Sequence, residues 1–169
     1  LRKKVVDVLE EYSQPALVEE YLEGREFTVA LIGNGETLKA LPIVEINYSA
    51  LPAGVNPIYS YEAKWIFDTP DAPLDIFTCP ADLTPRLKSA IEAVSKDAFG
   101  ALEVRDWCRI DVRLDSEGTP HIIELNPLPG ILQDPKCNSC FPKAARAAGM
   151  TFTSMVNGVL DAARLRYGI

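Results

Sequence analysis

Histidine is nearly absent from this chain of 169 residues, and cysteine is sparse. The single histidine is His121, so the CxxC pair of Cys137 and Cys140 lacks the two further Cys or His ligands that a structural zinc site usually needs. With no secretory signal at the start of the chain, the four cysteines are expected to be reduced thiols. Zinc binding or redox chemistry is therefore the weaker interpretation of this pair.

Basic clusters and long apolar runs are also missing. The net charge is −7, and Arg2-Lys3-Lys4 is the one short basic run. Because a nucleic-acid footprint needs a basic face, we expect no nucleic-acid partner. The apolar runs are too short to cross a bilayer, so we expect no membrane partner and a cytoplasmic location. An acidic protein can still bind ATP where a divalent metal and a few local cations neutralise the phosphates.

The patterns that are present predict one α+β domain with a mainly antiparallel sheet flanked by helices. Strands are expected over 16–22, 26–32, 38–47, 107–114 and 121–126, and helices over 2–12, 85–100, 142–148 and from Phe152 onward. The long irregular stretch 48–82 is expected to carry function. Because the chain starts in a helix with no strand before it, we expect residues 1–169 to be one excised domain of a longer protein.

The most informative stretch is the predicted hairpin that joins Arg109-Ile-Asp111 to Glu124-Leu-Asn126. A symmetric hairpin places Asp111 opposite Glu124 and Arg109 opposite Asn126. It also puts Ile122, Glu124 and Asn126 on one face of their strand, because side chains alternate along a strand. Directly opposed Cβ atoms lie about 4.5–5.5 Å apart, and like charges there are destabilising.

Two opposed carboxylates of this kind call for a cation between them. Mg²⁺ takes one or two carboxylates and completes its shell with water and phosphate oxygens. Asn126 adds a neutral oxygen, and Arg109 supplies a positive fork for phosphate or a developing oxyanion. The alternative is an ordinary hairpin with a solvated polar face.

Two further segments carry candidate residues. In the segment 17–28, backbone groups near Gly24 could read the edge of a flat heterocycle, and Glu26 could accept hydrogen bonds from sugar hydroxyls. Lys64 lies between aromatic residues in the irregular stretch and could bind phosphate. For both segments the alternative is an exposed turn or a solvated lysine.

Together these segments resemble the carboxy-terminal domain of the D-alanine–D-alanine ligases, a family of the ATP-grasp superfamily. The resemblance covers nearly the whole chain and rests on the order and spacing of six motifs. They are VEEYLEGREFTV (18–29), YSYEAKW (59–65), CPADL (79–83), RIDVRLDSEG (109–118), IIELNPLPG (122–130) and FPKAARAAGM (141–150).

The resemblance implies a role for each matching residue. Glu19, Glu20, Tyr21 and Leu22 would meet adenine, Glu26 would hold the ribose, and Lys64 would lie near the terminal phosphates. Asp111, Glu124 and Asn126 would bind Mg²⁺, with Mn²⁺ as an alternative. Arg109 would steady the acyl phosphate, the N–H of Gly130 would help form an oxyanion hole, and Ser139 would bind the substrate carboxylate.

The implied activity is an ATP-dependent ligation of a carboxylate to an amine through an acyl phosphate. The amino-terminal and central domains of the family lie outside these 169 residues, so we expect the fragment alone to be inactive. Trp65 stands where the family commonly has tyrosine, and the loop 131–138 before Ser139 is longer. These departures leave open which amino acid or hydroxy acid is the acceptor, and the family also allows a homodimer. The alternative from another class is a degenerate, non-catalytic nucleotide-binding module.

Overall fold

The computed structural model describes residues 1–48, 57–58 and 75–169. The four helices of these residues are α1 (Arg2–Tyr12), α2 (Pro85–Ala101), α3 (Cys140–Ala147) and α4 (Phe152–Tyr167). The strands are β1 (Glu26–Ile32), β2 (Lys39–Ala40), β3 (Val44–Ile46), β4 (Phe77–Thr78), β5 (Trp107–Leu114) and β6 (Pro120–Asn126).

Every strand pair in this described part is antiparallel, and the strands form one sheet. The order is β4-β3-β1-β5-β6, with β2 pairing β1 beyond the end of β3. Helices cover both faces of the sheet. The predicted α+β class with a mainly antiparallel sheet is confirmed.

The two faces of the sheet bury separate apolar clusters, because successive side chains of each strand point to opposite sides. On one face, α2 packs Ile91 and Phe99 against Phe27, Ile110 and Val112. On the other face, α3 and α4 pack against β1. This cluster contains Phe141 and Ala144 of α3, Met155 of α4, and Ala30 and Ile32 of β1. The even-numbered residues of β1 and the odd-numbered residues of β5 therefore share a face with α3 and α4.

Capping residues start the two long helices where the sequence predicts. The hydroxyl of Thr84 accepts a hydrogen bond from the N–H of Leu87 at 3.3 Å, with Pro85 as the first helical residue. Thr151 caps α4 in the same way through Ser154 N–H at 3.0 Å. The third predicted helix, 142–148, begins earlier than expected, at Cys140.

The strand predicted over 38–47 is divided into β2 and β3. β2 pairs Ala40 with Leu31, whereas β3 pairs Val44 with Thr28, so the register shifts by one residue between them. Pro42 lies in the interval and has no N–H to donate to a ladder. A further correction is β4, which lies within the stretch 48–82 that was predicted to be irregular.

The strand predicted over 16–22 is wrong, because the structure has no strand between Tyr12 and Glu26. Leu17 and Val18 are 83% and 54% exposed, so the apolar residues that suggested the strand have no sheet to pack on. The predicted helix 2–12 is confirmed as α1, but none of its residues is buried.

The Phe141→Ala substitution tests the core between the sheet and α3. Phe141 is fully buried and contacts the Trp107 ring edge-on, with the ring centroids 5.3 Å apart. Because truncation leaves a cavity, we expect the free energy of unfolding to fall by about 3–5 kcal/mol. Denaturation followed by tryptophan fluorescence measures this. Leu165→Ala on α4, where Leu165 is 68% exposed, should change the stability little, and equal losses in both variants would contradict the packing.

Candidate functional site

The polar face of β1, β5 and β6 forms the candidate site, on the same side of the sheet as α3 and α4. Three rows of directly paired residues cross these strands. They are Ala30–Arg109–Asn126, Thr28–Asp111–Glu124 and Glu26–Arg113–His121. The predicted pairing of Asp111 with Glu124 and of Arg109 with Asn126 is confirmed.

Arg109 connects the two opposed carboxylates. Its Nε and Nη2 donate to Asp111 Oδ1 and Oδ2 at 2.9 and 2.8 Å, and Nη2 also lies 3.3 Å from Glu124 Oε1. Asn126 Nδ2 donates to the same Glu124 oxygen at 2.9 Å. Since one nitrogen contacts both carboxylates, Asp111 and Glu124 converge on a single position, which the Arg109 guanidinium fills.

A β-bulge next to this site corrects one sequence prediction. The register shifts between Asp111 and Val112, so that Val112 pairs with Ile122 and Ile123 is the extra residue. Ile122 therefore packs against the α2-side cluster instead of sharing a face with Glu124 and Asn126. The shift lies on the turn side of Asp111, which leaves the Asp111–Glu124 pair as predicted.

The electrostatics of the site reflect its crowding by carboxylates. Burial, together with the neighbouring Glu124, raises the pKa of Asp111 to about 6, against the lowering effect of Arg109. Burial acts to lower the pKa of Arg109, but the hydrogen bonds and charge of Asp111, with further carboxylate charge from Glu124, raise it overall. Ionising the Asp111 carboxyl is therefore costly in free energy within this environment. A further cation beside the carboxylate would lower that cost.

The donor atoms of this face fit a hard divalent cation such as Mg²⁺. Asp111 and Glu124 supply carboxylate oxygens, and rotation of the Asn126 amide would add a neutral one. Within the described residues no group of three His, Cys, Asp or Glu side chains could hold a metal alone. A cation here would thus take part of its shell from phosphate oxygens or water, as Mg²⁺ commonly does.

The predicted nucleotide-binding residues lie before and at the start of β1. Gly24 fixes the preceding segment to the end of β5, since its N–H donates to Leu114 O at 2.9 Å and a Cβ there would lie 2.5 Å from that oxygen. Glu19, Glu20 and Tyr21 are exposed, and Leu22 and Glu26 are half-buried. Lys64 lies outside the described residues.

Gly130 and Ser139 lie in and after the loop that follows β6. Gly130 is exposed, and a Cβ built on it would meet no atom of the described structure within 4 Å. Ser139 is buried, and its Oγ donates to Gly130 O at 2.9 Å and accepts from Leu132 N–H at 3.1 Å. Ser139 therefore holds the loop beside Gly130, and donation to a substrate carboxylate would require its hydroxyl to leave Gly130 O.

Comparisons with known proteins identify the family of this chain. The family model described as D-ala D-ala ligase C-terminus matches residues 2–161. The chain belongs to the D-alanine–D-alanine ligase family. The predicted resemblance is thus confirmed.

Curated relatives of the family align along nearly the whole chain. An uncharacterized protein, y4sG, of Sinorhizobium fredii is 37% identical over 167 residues, which are 99% of this chain and 46% of that protein. The D-alanine–D-alanine ligase of Bordetella pertussis is 34% identical over 158 residues, which are 94% of this chain and 45% of that enzyme. The chain therefore spans less than half the length of these relatives.

Solved structures of D-alanine–D-alanine ligases share the fold. The enzyme of Bacillus anthracis complexed with ATP superimposes with a TM-score of 0.70 at 22% identity, covering 100% of this chain and 48% of its own. The enzyme of Coxiella burnetii gives 0.72 at 22% identity, covering 99% of this chain and 39% of its own. The predicted carboxy-terminal ATP-grasp fold is confirmed. Within the described residues, no helix combines the length and apolar character needed to span a bilayer.

One residue of the polar face of β1, β5 and β6, Arg113, has no role predicted from the sequence. Arg113 lies in the row of Glu26, and its Nη1 donates to Glu26 Oε2 at 2.9 Å. Strand alternation does place Arg113 on the face of Arg109 and Asp111. Its partner on β1 could not be found from local pattern, because the pairing of β1 with β5 joins residues far apart in the sequence.

Proposed function

We propose that this chain is the carboxy-terminal domain of an ATP-dependent carboxylate–amine ligase, with D-alanine as the first substrate to test. The observation that carries the proposal is the convergence of Asp111 and Glu124 on one position, flanked by Arg109 and Asn126. Two opposed carboxylates with an adjacent amide and guanidinium suit a magnesium–phosphate site. Membership of the ligase family supports the same reading.

Each residue of the site has a separate proposed role. Asp111, Glu124 and Asn126 would hold Mg²⁺, or Mn²⁺ in its place, which offsets the charge of the β- and γ-phosphates when bound. Arg109 would turn from Asp111 towards the acyl phosphate and the tetrahedral intermediate. The N–H of Gly130 would donate to the oxyanion, and Ser139 would keep that loop in place or bind the substrate carboxylate.

The nucleotide would lie along the start of β1. Glu19, Glu20, Tyr21 and Leu22 would border the adenine, and Glu26 would accept hydrogen bonds from the ribose. Lys64 would reach the terminal phosphates. On the sheet, Glu26 lies one row from Asp111, so a ribose bound at Glu26 would lie beside the proposed phosphate site.

The proposed reaction has two chemical steps. A carboxylate oxygen of the first amino acid attacks the γ-phosphorus of ATP, the bond to the β-phosphate oxygen breaks, and ADP leaves. The amine of the second amino acid then attacks the acyl carbon, the bond from that carbon to the oxygen bridging it to phosphorus breaks, inorganic phosphate leaves with the bridging oxygen, and the nitrogen gives up a proton to solvent. The protein contributes position and electrostatic stabilisation at both steps.

We propose further that the activity needs the amino-terminal and central domains present in full-length members of the family. The chain covers 46% and 45% of the length of two relatives. The 169-residue chain alone is therefore expected to give no phosphate release. Turnover by the isolated chain would contradict this division of the site. We also propose that the full-length protein is cytoplasmic and forms a homodimer.

Phosphate release by the full-length protein tests the function. ATP, Mg²⁺ and D-alanine are supplied, and a series of amino acids and hydroxy acids is screened as acceptors. Acceptor-dependent release of phosphate is the expected result. No release with any acceptor, together with nucleotide binding that ignores Mg²⁺, would instead identify a non-catalytic nucleotide-binding module.

A further inference from the structure

Arg113 is a buried cation on the proposed nucleotide face. Its side chain is 5% exposed and contacts three separate parts of the chain. Nη1 donates to Glu26 Oε2, while Nη2 donates to the hydroxyl of Tyr21 and to Pro57 O, all at 2.9 Å. The guanidinium also lies 4.9 Å from the centre of the Tyr21 ring.

Two of these contacts, with Tyr21 and with Pro57, join segments outside the sheet to β5. Glu26 begins β1, Tyr21 precedes it without regular structure, and Pro57 belongs to the stretch between β3 and β4. A buried guanidinium is costly unless its charge and donors are satisfied, and here both terminal nitrogens have partners, whereas the buried Nε has none within the described structure. The position of Arg113 therefore ties the proposed adenine segment and the proposed ribose carboxylate to β5, the strand of Arg109 and Asp111.

Arg113 also affects the electrostatics of the Glu26 carboxylate. Burial raises its pKa, and the nearby Glu124 acts in the same direction. The hydrogen bond from Tyr48 and the charge and hydrogen bond of Arg113 oppose that rise. Without Arg113, Glu26 would lose its buried cation and the hydrogen bond that orients one of its oxygens.

We propose that Arg113 is a positioning residue that orients the Glu26 carboxylate to accept hydrogen bonds from the ribose hydroxyls of ATP. This inference rests on the proposed function and adds to it a determinant of nucleotide selectivity. Arg113 acts through Glu26 and, by its bond to the Tyr21 hydroxyl, fixes the residue beside the base. Its effect is on nucleotide recognition and not on the transfer of phosphate.

Deoxynucleotides reveal this role in the full-length protein. The ratio of kcat/KM for ATP to that for 2′-deoxy-ATP and for 3′-deoxy-ATP reports the ribose contact. We expect the wild type to prefer ATP over at least one analogue on the order of 10-fold or more, as a hydrogen bond to a charged group allows. Arg113→Met should raise KM for ATP more than KM for that analogue, leave kcat nearly unchanged with either nucleotide, and so abolish most of the preference.

Two variants control for structural effects. Glu26→Gln removes the ribose carboxylate and should abolish the preference as Arg113→Met does. Arg166→Met breaks a comparable contact, because Arg166 forks onto Asp106 at 3.0 and 2.7 Å and lies 4.2 Å from the Tyr167 ring. It should lower stability and keep the preference. If Arg113→Met fails to fold, Arg113→Lys, which keeps the charge without the fork, should give a reduced preference.

The outcomes separate the two proposals. A wild type that turns over with ATP but shows no preference overturns the role of Arg113, as does a preference that Arg113→Met or Arg113→Lys leaves undiminished. A preference that survives Glu26→Gln also overturns it, because Arg113 would have nothing to position. Absence of ATP-dependent turnover in the wild type would instead count against the ligase function itself.

Discussion

The Asp111→Asn variant of the full-length protein is expected to lose about 10³-fold in kcat, since it removes one of two charged ligands of the proposed metal and weakens stabilisation of the transferred phosphoryl group. Asparagine has nearly the same shape, so the packing around position 111 should persist. Arg109 keeps Glu124 as a partner at 3.3 Å. Steady-state phosphate release measures the loss, with thermal unfolding as the check on folding.

A matched control for Asp111→Asn lies on the same hairpin. Asp115 accepts hydrogen bonds from Glu117 and Thr119 N–H at 2.9 and 2.8 Å within the turn between β5 and β6, and it contacts His121 at the start of β6. Asp115→Asn makes the same chemical change away from the site, and kcat should stay unchanged. Equal losses of kcat in both variants would mean that hairpin integrity, and not a metal ligand, explains the effect.

The Arg109→Met variant should change turnover and metal binding in opposite directions. In the structure the guanidinium fills the position on which Asp111 and Glu124 converge. Its removal should raise the affinity for Mn²⁺, measured without nucleotide, by roughly 10-fold. The reason is that the metal no longer meets a positive charge at the position that it would occupy. It should also lower kcat by about 10²–10³-fold, because the acyl phosphate and oxyanion lose their cation.

Electron paramagnetic resonance of free Mn²⁺ measures the metal affinity in this experiment. Arg105→Met is the control, because Arg105 is an exposed residue that carries the same charge just before β5. It should leave both the Mn²⁺ affinity and kcat unchanged. An Arg109→Met protein that binds Mn²⁺ no better than the wild type would contradict a shared position for the guanidinium and the metal.

Much of the site could be predicted from the sequence, because its two opposed carboxylates belong to neighbouring strands of one hairpin. Asp111 and Glu124 lie on two strands joined by a five-residue turn, so alternation and an assumed symmetric hairpin were enough to pair them. The bulge at Ile123 could not be anticipated, since an extra residue in β6 leaves the polar and apolar pattern readable in either register. That bulge explains why Glu124 was placed correctly and Ile122 was not.

Long-range contacts account for what the sequence missed. The apolar run at Leu17 and Val18 reads as a strand, but β-structure requires a partner, and the structure pairs no strand with that segment. The partners of Arg113 lie 87, 92 and 56 residues away along the chain. The pairing of β1 with β5 creates the contact with Glu26, and tertiary packing outside the sheet brings Tyr21 and Pro57 to Arg113, so no local periodicity encodes these contacts.

The most direct test of the metal-bridged phosphate site is the binding of a non-hydrolysable ATP analogue to the full-length protein, titrated with and without Mg²⁺. We expect Mg²⁺ to tighten binding at least roughly 10-fold in the wild type, since it links the phosphates to two carboxylates. The double variant Asp111→Asn and Glu124→Gln should bind the analogue with an affinity that Mg²⁺ does not change. Tightening by Mg²⁺ that persists in the double variant would contradict the account.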